Sequence, residues 1–249
     1  MATDSEKRIA LQRIERNIAQ NGHHIYMVSG GEEPRFAYTI GLSKAVGFEL
    51  ILAGAFFYMA DEVTKILNEI AAKLKSQSGS TASVFEMGDL GSFSIRLANP
   101  SWATILMLGA LDFYRVSEIP AFQVVPDSAH WTIDVPDLSQ PWSPITAPIW
   151  RWLHEPWSYP VPSKSVAGTN LDALRGERVT EAMRWEENEW ELYAGAGPDV
   201  PKDAMRVVPL GTLVEADRSL EPVVNLRIGE GLWRDADSAW HPWVTKASS

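Results

Sequence analysis

Phe36-Ala37-Tyr38-Thr39-Ile40-Gly41-Leu42 is the stretch of the sequence that decides the fold. Successive side chains of a β-strand point to opposite faces, so the even-numbered residues would give this strand one large, mostly apolar face. The odd-numbered residues would give it a second face of small side chains. A helix, a neighbouring backbone or a ligand can approach such a face closely, and we expect a packed helix rather than a ligand.

The patterns around this stretch predict an α+β fold with a mainly antiparallel sheet and packed helices. Residues 23–29 alternate in polarity and are joined to residues 36–42 by a Gly-Gly-Glu-Glu-Pro loop, which predicts a hairpin. Apolar residues recur at helical spacing over residues 59–74. The remaining predicted helices are 5–20 and 103–114, and the remaining predicted strands are 49–53, 83–87, 92–97 and 121–125. Hairpins on both sides of a long helix are typical of the α+β class.

The composition of the chain changes at residues 120–162, which hold nine of the 16 prolines and five of the 11 tryptophans. Proline at this density prevents long helices and central strands, so we expect an irregular segment that packs on the first domain. An exposed recognition surface is the alternative. We therefore predict a first domain at 1–162, a linker at 163–176, a smaller α+β domain at 177–243 and a frayed tail at 244–249. The smaller domain should contain a hairpin that turns at residues 186–189.

Composition narrows the class of protein. The 249 residues include 45% hydrophobic and 22% charged residues, as in globular proteins. There is no cysteine, which excludes disulfides and thiolate metal sites. A formal net charge of −10 argues against nucleic-acid binding and weakly favours a basic protein partner. The N-terminus has no signal-peptide core and no apolar run could span a bilayer, so we expect a cytoplasmic protein without membrane contact.

Four motifs in the first half resemble an uncharacterised bacterial family of unknown function. They are Gly22-His23-His24-Ile25-Tyr26-Met27-Val28, residues 36–42, Leu111-Asp112-Phe113-Tyr114 and Pro120-Ala121-Phe122-Gln123-Val124-Val125-Pro126-Asp127. The family pattern is G-W-H-V, F-x-Y-T-x-G-L, H-P-E-L and Q-V-x-W-P-D, and the resemblance covers residues 20–145. The chain departs from this pattern at His23, where the family has tryptophan, and at Gly47-Phe48-Glu49-Leu50, which lacks the histidine of H-P-E-L.

Residues 177–235 resemble small domains classed among bacterial immunity proteins, which bind and block a cognate toxin. The resemblance rests on Trp190-Glu191-Leu192-Tyr193-Ala194-Gly195, Val207-Val208-Pro209-Leu210-Gly211-Thr212-Leu213, Asp217-Arg218-Ser219-Leu220-Glu221-Pro222 and Gly229-Glu230-Gly231-Leu232-Trp233-Arg234. It implies a protein that binds a toxin.

Candidate site residues fall into two groups. Polar residues on or beside the predicted strands could line one pocket over the small face: His24, Tyr38, Thr39, Glu49, Arg96 and Asp127. Ordinary hydrogen bonding of half-buried groups is the alternative, and we favour it. Aromatic residues that could anchor an interface in the C-terminal region are Trp185, Trp190 and Trp233. The five histidines lack metal-binding spacing and no serine lies in a Gly-x-Ser-x-Gly frame, so we expect no metal, no cofactor and no hydrolase triad.

Two hypotheses for function follow. The first is a non-catalytic binding protein, of the immunity type, that covers a basic toxin with an acidic, tryptophan-bearing surface. The second is a hydrolase-like enzyme or a small-molecule binder that uses a pocket beside residues 36–42, with His24 or Asp127 as acid–base group. A closed core beneath the small face would count against the second hypothesis.

Overall fold

The computed structural model describes residues 4–76, 84–195, 200–235 and 239–243. The chain forms two compact units, and each has its own six-stranded sheet. The first unit comprises described residues within 1–28, 35–131 and 136–143, and the second comprises those within 29–34, 132–135 and 144–249. Helices and mainly antiparallel sheets occur in both, which confirms the predicted α+β class.

The first unit has eleven elements over the described residues. They are α1 (Asp4–Asn21), β1 (His24–Val28), β2 (Phe36–Ile40), α2 (Ser43–Val46), β3 (Glu49–Ala53), α3 (Ala60–Ser76), β4 (Phe85–Glu86), β5 (Ser92–Leu97), α4 (Pro100–Leu106), α5 (Leu108–Tyr114) and β6 (Ala121–Pro126). The strand order is β1-β2-β3-β6-β5-β4, and only the β3–β6 pair is parallel. The predicted hairpin is confirmed, with Tyr26 opposite Tyr38.

Strand β2 is buried at all five positions, and helices α3 and α5 pack against it. Directly after β2, a Cβ placed on Gly41 would lie 2.7 Å from Cγ1 of Ile18 in α1, so a helix approaches the chain closely at this glycine. Gly41 also has a φ of +103°, which side-chain-bearing residues rarely adopt. On the large face, the Tyr38 hydroxyl accepts a hydrogen bond from the amide of Gly109 in α5.

One predicted helix is in fact two. Residues 103–114 were expected to form a single helix, but α4 ends at Leu106 and α5 begins at Leu108. Met107 between them has φ −101° and ψ +35°, outside the helical range. The break frees the first amides of α5, and Tyr38 satisfies one of them at Gly109 over 3.1 Å.

The second unit contains β7 (Val166–Asn170), α6 (Leu171–Leu174), β8 (Glu181–Glu186), β9 (Glu189–Tyr193), β10 (Met205–Pro209), α7 (Leu210–Ala216), β11 (Gly231–Arg234) and β12 (Trp240–Pro242). Two of its 3₁₀ helices span Pro148–Leu153 and Arg218–Asn225. The strand order is β10-β7-β9-β8-β11-β12, with β7 and β9 parallel. The predicted β8–β9 hairpin is present.

The structure corrects the linker predicted at residues 163–176. That segment holds β7, which lies between β9 and β10, and α6 follows it directly. Ala167 and Thr169 are fully buried, whereas the Ser and Gly residues around them suggested an exposed connection. The Pro/Trp-rich segment also divides differently, because residues 144–162 belong to the second unit. Trp150, for example, is buried there and donates to the carbonyl oxygen of Asp134 over 3.0 Å.

Candidate functional site

A fully buried carboxylate, Glu49, ties the end of β2 to the start of β3. Its Oε2 accepts a hydrogen bond from the Thr39 hydroxyl over 2.6 Å. Its Oε1 accepts from the backbone amides of Gly41 and Ser43, each over 3.0 Å, and from the Tyr114 hydroxyl over 2.6 Å. Four donors therefore compensate a charge that would be costly to bury alone.

The tyrosines beside this carboxylate are held protonated at neutral pH. Burial, together with the hydrogen bond to Glu49, raises the pKa of Tyr114 to about 12. Burial also raises the pKa of Tyr38, which is 1% exposed. Both tyrosines are therefore neutral hydrogen-bonding groups at neutral pH.

The two adjacent histidines at the start of β1 are buried and paired with asparagines. His23 Nε2 lies 2.9 Å from Oδ1 of Asn68, and His24 Nδ1 lies 2.8 Å from Nδ2 of Asn17. Burial lowers the pKa of both histidines, and nearby cations lower it further. Neutral imidazoles that hold helices against a strand have a structural role.

The structure does not bring the six predicted pocket residues together around the small face of β2. Thr39 and Glu49 bond each other, and Tyr38 binds α5 on the opposite face. Arg96 and Asp127 instead line a separate open cavity with a volume of about 530 Å³.

Asp127 follows β6 and organises the turn beside this cavity. Its Oδ1 accepts from the amides of Ala129 and His130 and lies 2.7 Å from His130 Nδ1. Its Oδ2 accepts from the amide of Ser92 over 2.7 Å and from the Ser92 hydroxyl over 3.3 Å. Partial burial opposes ionisation, but these hydrogen bonds lower the pKa of Asp127 to about 2. The carboxylate is therefore ionised and fully engaged at neutral pH.

The His130 ring is fixed by Asp127 and by two aromatic neighbours. Phe57 meets it edge-on at a centroid separation of 4.7 Å, and Tyr58 lies parallel to it at 5.9 Å. Gly91 makes this packing possible, because a Cβ there would lie 2.5 Å from Nδ1 of His130. The nearby Ser92 hydroxyl bonds the Asp127 carboxylate and not the imidazole, so these three residues do not have the bonding order of a Ser-His-Asp triad.

The three tryptophans predicted as interface anchors in the second unit have different environments. Trp190 is 2% exposed, and its Nε1 lies 3.4 Å from the carbonyl oxygen of Val223, so it belongs to the core rather than to a surface. Trp185 and Trp233 are 51% and 39% exposed. Only these two are therefore available to a partner.

Strand register places the exposed tryptophans on one face of the second sheet. Trp233 lies opposite Glu181, and Met183 lies opposite both Gly231 and Glu191. Trp185 reaches the same face, because its Nε1 donates to Oε2 of Glu191 over 2.8 Å. We call this surface the acidic–aromatic face and define it by Glu181, Met183, Trp185, Glu189, Glu191, Trp233 and Trp243.

Local contacts fix the orientation of the aromatic rings on this face. Trp243, which is 49% exposed, donates to the carbonyl oxygen of Leu232 over 3.0 Å. A Cβ on Gly231 would lie 2.5 Å from Cδ1 of Trp243, so the glycine leaves room for the ring. The Trp233 ring packs against His241 in a tilted arrangement, with a centroid separation of 4.8 Å. The rings are thus pre-oriented while they remain exposed.

Comparison with known proteins places only the N-terminal region. Fold and sites together define an α+β protein with a hydrogen-bonded buried carboxylate in one unit and an acidic–aromatic face in the other. Residues 17–131 match the family described as Domain of unknown function (DUF4262), which confirms the resemblance of this region to an uncharacterised family. No curated protein and no solved structure matches the chain. The resemblance of the C-terminal region to immunity domains stays a prediction.

Two further features bear on the kind of site that the chain can form. Among the described residues, no three histidine, aspartate or glutamate side chains are grouped so that they could hold a metal ion. The helices of the described ranges include none that is long and apolar enough to cross a membrane.

Sequence reasoning missed three residues that matter at these sites. In the sequence Tyr114 is only part of a motif, yet its hydroxyl donates to Oε1 of Glu49, 65 positions earlier in the chain. His130 lies three residues after Asp127, and the Asp-x-x-His spacing of a tight turn was the available signal. Trp243 lies at the end of the chain beyond every motif, so nothing in the sequence indicated its role.

Proposed function

We propose that this chain is a non-catalytic binding protein that recognises a protein partner through its acidic–aromatic face. The observation that carries the proposal is a set of exposed tryptophans, Trp185, Trp233 and Trp243, interleaved with carboxylates on one sheet face. Exposed indoles with fixed orientation bury much area at little entropic cost and are enriched among the residues that dominate binding energy.

The charge of this face indicates the chemistry of the partner. Glu181, Glu189 and Glu191 all lie on the strands that form it. The whole chain carries a formal net charge of −10. A basic protein is attracted by such a surface, whereas a second copy of the chain or a nucleic acid would bring like charges together.

We further propose that the partner is a toxin and that the chain acts as its immunity protein, in the cytoplasm of the cell that makes it. Support comes from the resemblance of residues 177–235 to immunity domains and from the acidic character of the binding face. Blocking a toxin by covering it needs no catalytic group.

Contacts among the described residues count against the alternative, an enzyme or a small-molecule binder with a pocket beside residues 36–42. Ala37 and Thr39 are fully buried, and Ile18 fills the space over Gly41. The polar groups there are used in the hydrogen bonds to Glu49.

Affinity capture from the lysate of the host that encodes the chain tests this function. The full chain is compared with the Trp185→Ser/Trp233→Ser double variant and with a control, Leu108→Ser, which changes a 63% exposed apolar residue of the first unit. We expect one basic protein to be captured by the wild type and by the control, and to be lost from the double variant and at high salt. That protein, expressed alone, should arrest growth, and co-expression of the wild type but not of the double variant should restore growth. Equal capture by the double variant would contradict the proposed surface, and a captured protein without toxicity would contradict the immunity function.

A further inference from the structure

We propose that the open cavity beside β5 and β6 of the first unit binds a small anionic molecule with a flat, apolar body. This inference is independent of the proposed toxin partner, because the cavity and the acidic–aromatic face lie in different units. Its volume of about 530 Å³ lies in the range of small-molecule sites.

Side chains of β5 that point away from the core form the floor of the cavity. Phe93 and Ile95 are buried in the core, so Ser92, Ser94 and Arg96 point to the other face. In the neighbouring strand β6, Val125 lies opposite Ser94. The floor therefore offers hydroxyl groups, a guanidinium group and an aliphatic side chain in adjacent positions.

The walls of the cavity are largely apolar. Val84, Val125 and Pro126 line it together with the indole of Trp131, which is 37% exposed. Aliphatic surface and an exposed indole suit a flat hydrocarbon or aromatic body.

Several side chains with hydrogen-bond donors line this cavity and are open to solvent. Arg96, Ser94, Ser128 and Trp131 all line it, and the side chains of these four residues make no hydrogen bond or ion pair with any part of the chain that the structure describes. Arg96 brings a planar guanidinium group, which matches a carboxylate or phosphate in bidentate geometry. Together these donors call for a ligand that presents acceptors.

The carboxylate that lines the cavity does not compete for Arg96. Asp127 already accepts hydrogen bonds from Ser92, Ala129 and His130, and both of its oxygens are used. These bonds hold the carboxylate in the turn, and within the described residues it forms no ion pair with Arg96, which therefore stays available to a ligand anion. For the same reason Asp127 has no free oxygen to offer a metal ion or an ammonium group.

Calorimetric titration of the full chain with naphthalene-2-carboxylate tests the site, with naphthalen-2-ylmethylamine as the cationic counterpart. We expect saturable one-to-one binding of the carboxylate and none of the amine. Arg96→Gln should weaken binding at least about tenfold, because it removes the charge-assisted hydrogen bonds. Arg16→Gln, an exposed arginine of α1 in the same unit, is the matched control and should bind like the wild type.

A second readout locates the binding. The indole N–H resonance of Trp131, assigned by its loss in Trp131→Phe, should shift on titration, whereas the Trp185 and Trp233 resonances should not. The Trp185→Ser/Trp233→Ser double variant should bind the carboxylate with unchanged affinity, which separates this site from the proposed protein interface. Absence of binding at millimolar carboxylate, equal binding of the amine, or equal affinity of Arg96→Gln would each overturn the proposal.

Discussion

Replacement of Glu49 by glutamine gives the sharpest test of how the first unit is held together. The substitution keeps the shape of the side chain and removes its charge and one of its two acceptor oxygens. If the amide oxygen keeps the Gly41, Ser43 and Tyr114 donors, the amide nitrogen must face the Thr39 hydroxyl. That hydroxyl already accepts from the amide of Leu50 over 2.8 Å, so its own proton loses its acceptor.

The expected cost follows from the bonds that change. A hydrogen bond to a charged group contributes about 1.5–3 kcal/mol, and a neutral amide contributes about half as much per bond. One lost bond and three weakened bonds together amount to about 4–7 kcal/mol, and the smaller cost of burying a neutral amide offsets part of this, so the free energy of unfolding of the first unit should fall by about 2–4 kcal/mol. Tyr114→Phe, which removes one of the four donors, should cost about 1.5–3 kcal/mol by the same reasoning.

Hydrogen exchange of the β2 and β3 amides in increasing urea is the suitable measurement, because it reports on the first unit even if the second unfolds separately. Glu15→Gln, an exposed position of α1, is the control and should change stability by less than about 0.5 kcal/mol. If Glu49→Gln behaves like this control, the buried carboxylate does not hold β2 and β3 together and the reasoning fails.

Three further changes have definite expected results. Gly41→Ala should lower the melting temperature, because its Cβ would lie 2.7 Å from the Ile18 side chain at a φ of +103°; adding Ile18→Ala should not restore the wild-type value, since the backbone strain remains. Burial lowers the pKa of His23 and His24 below the usual value of 6.5, so the unfolded chain takes up protons first as the pH falls. The urea midpoint of the first unit should therefore be constant above about pH 7 and fall below about pH 6.5, and a midpoint that rises on acidification would contradict the assignment. Arg234→Lys should destabilise the second unit nearly as much as Arg234→Gln, measured by urea unfolding, because a lysine cannot bond Val179, Ser219 and Asp217 together; full stability of the lysine variant would contradict this.

The sequence pattern predicts an element correctly where the side chains of that element determine its structure. Alternation over residues 36–42 predicted β2, and its small residues predicted the close approach that Ile18 makes at Gly41. Apolar spacing over residues 59–74 predicted the helix now seen at Ala60–Ser76. Each of these signals lies within one element and is set by side-chain size and period.

The sequence-based predictions are wrong where contacts with residues distant in the chain determine the local structure. The helix breaks at Met107, and the Gly109 amide after the break donates to the Tyr38 hydroxyl, 71 positions away in the sequence. The sequence predicts a linker where β7 lies, because the two strands that pair with it, β9 and β10, come later in the chain. Trp185 and Trp190 cannot be told apart by local pattern, but the buried Trp190 has its Nε1 3.4 Å from the carbonyl oxygen of Val223, 33 positions away, whereas Trp185 is 51% exposed.

The residues that carry the resemblance to the uncharacterised family serve the fold in this chain. Tyr38 bonds α5, while Thr39 and Gly41 bond Glu49, so the Phe-x-Tyr-Thr-x-Gly-Leu pattern describes a packing and hydrogen-bonding requirement. A buried, fully bonded carboxylate cannot also bind a ligand without breaking bonds that hold β2 to β3. Groups that remain available lie outside that pattern, at Arg96 and on the acidic–aromatic face. Experiments on function should therefore begin with those surfaces, and substitutions in the motif should be read first as changes in stability.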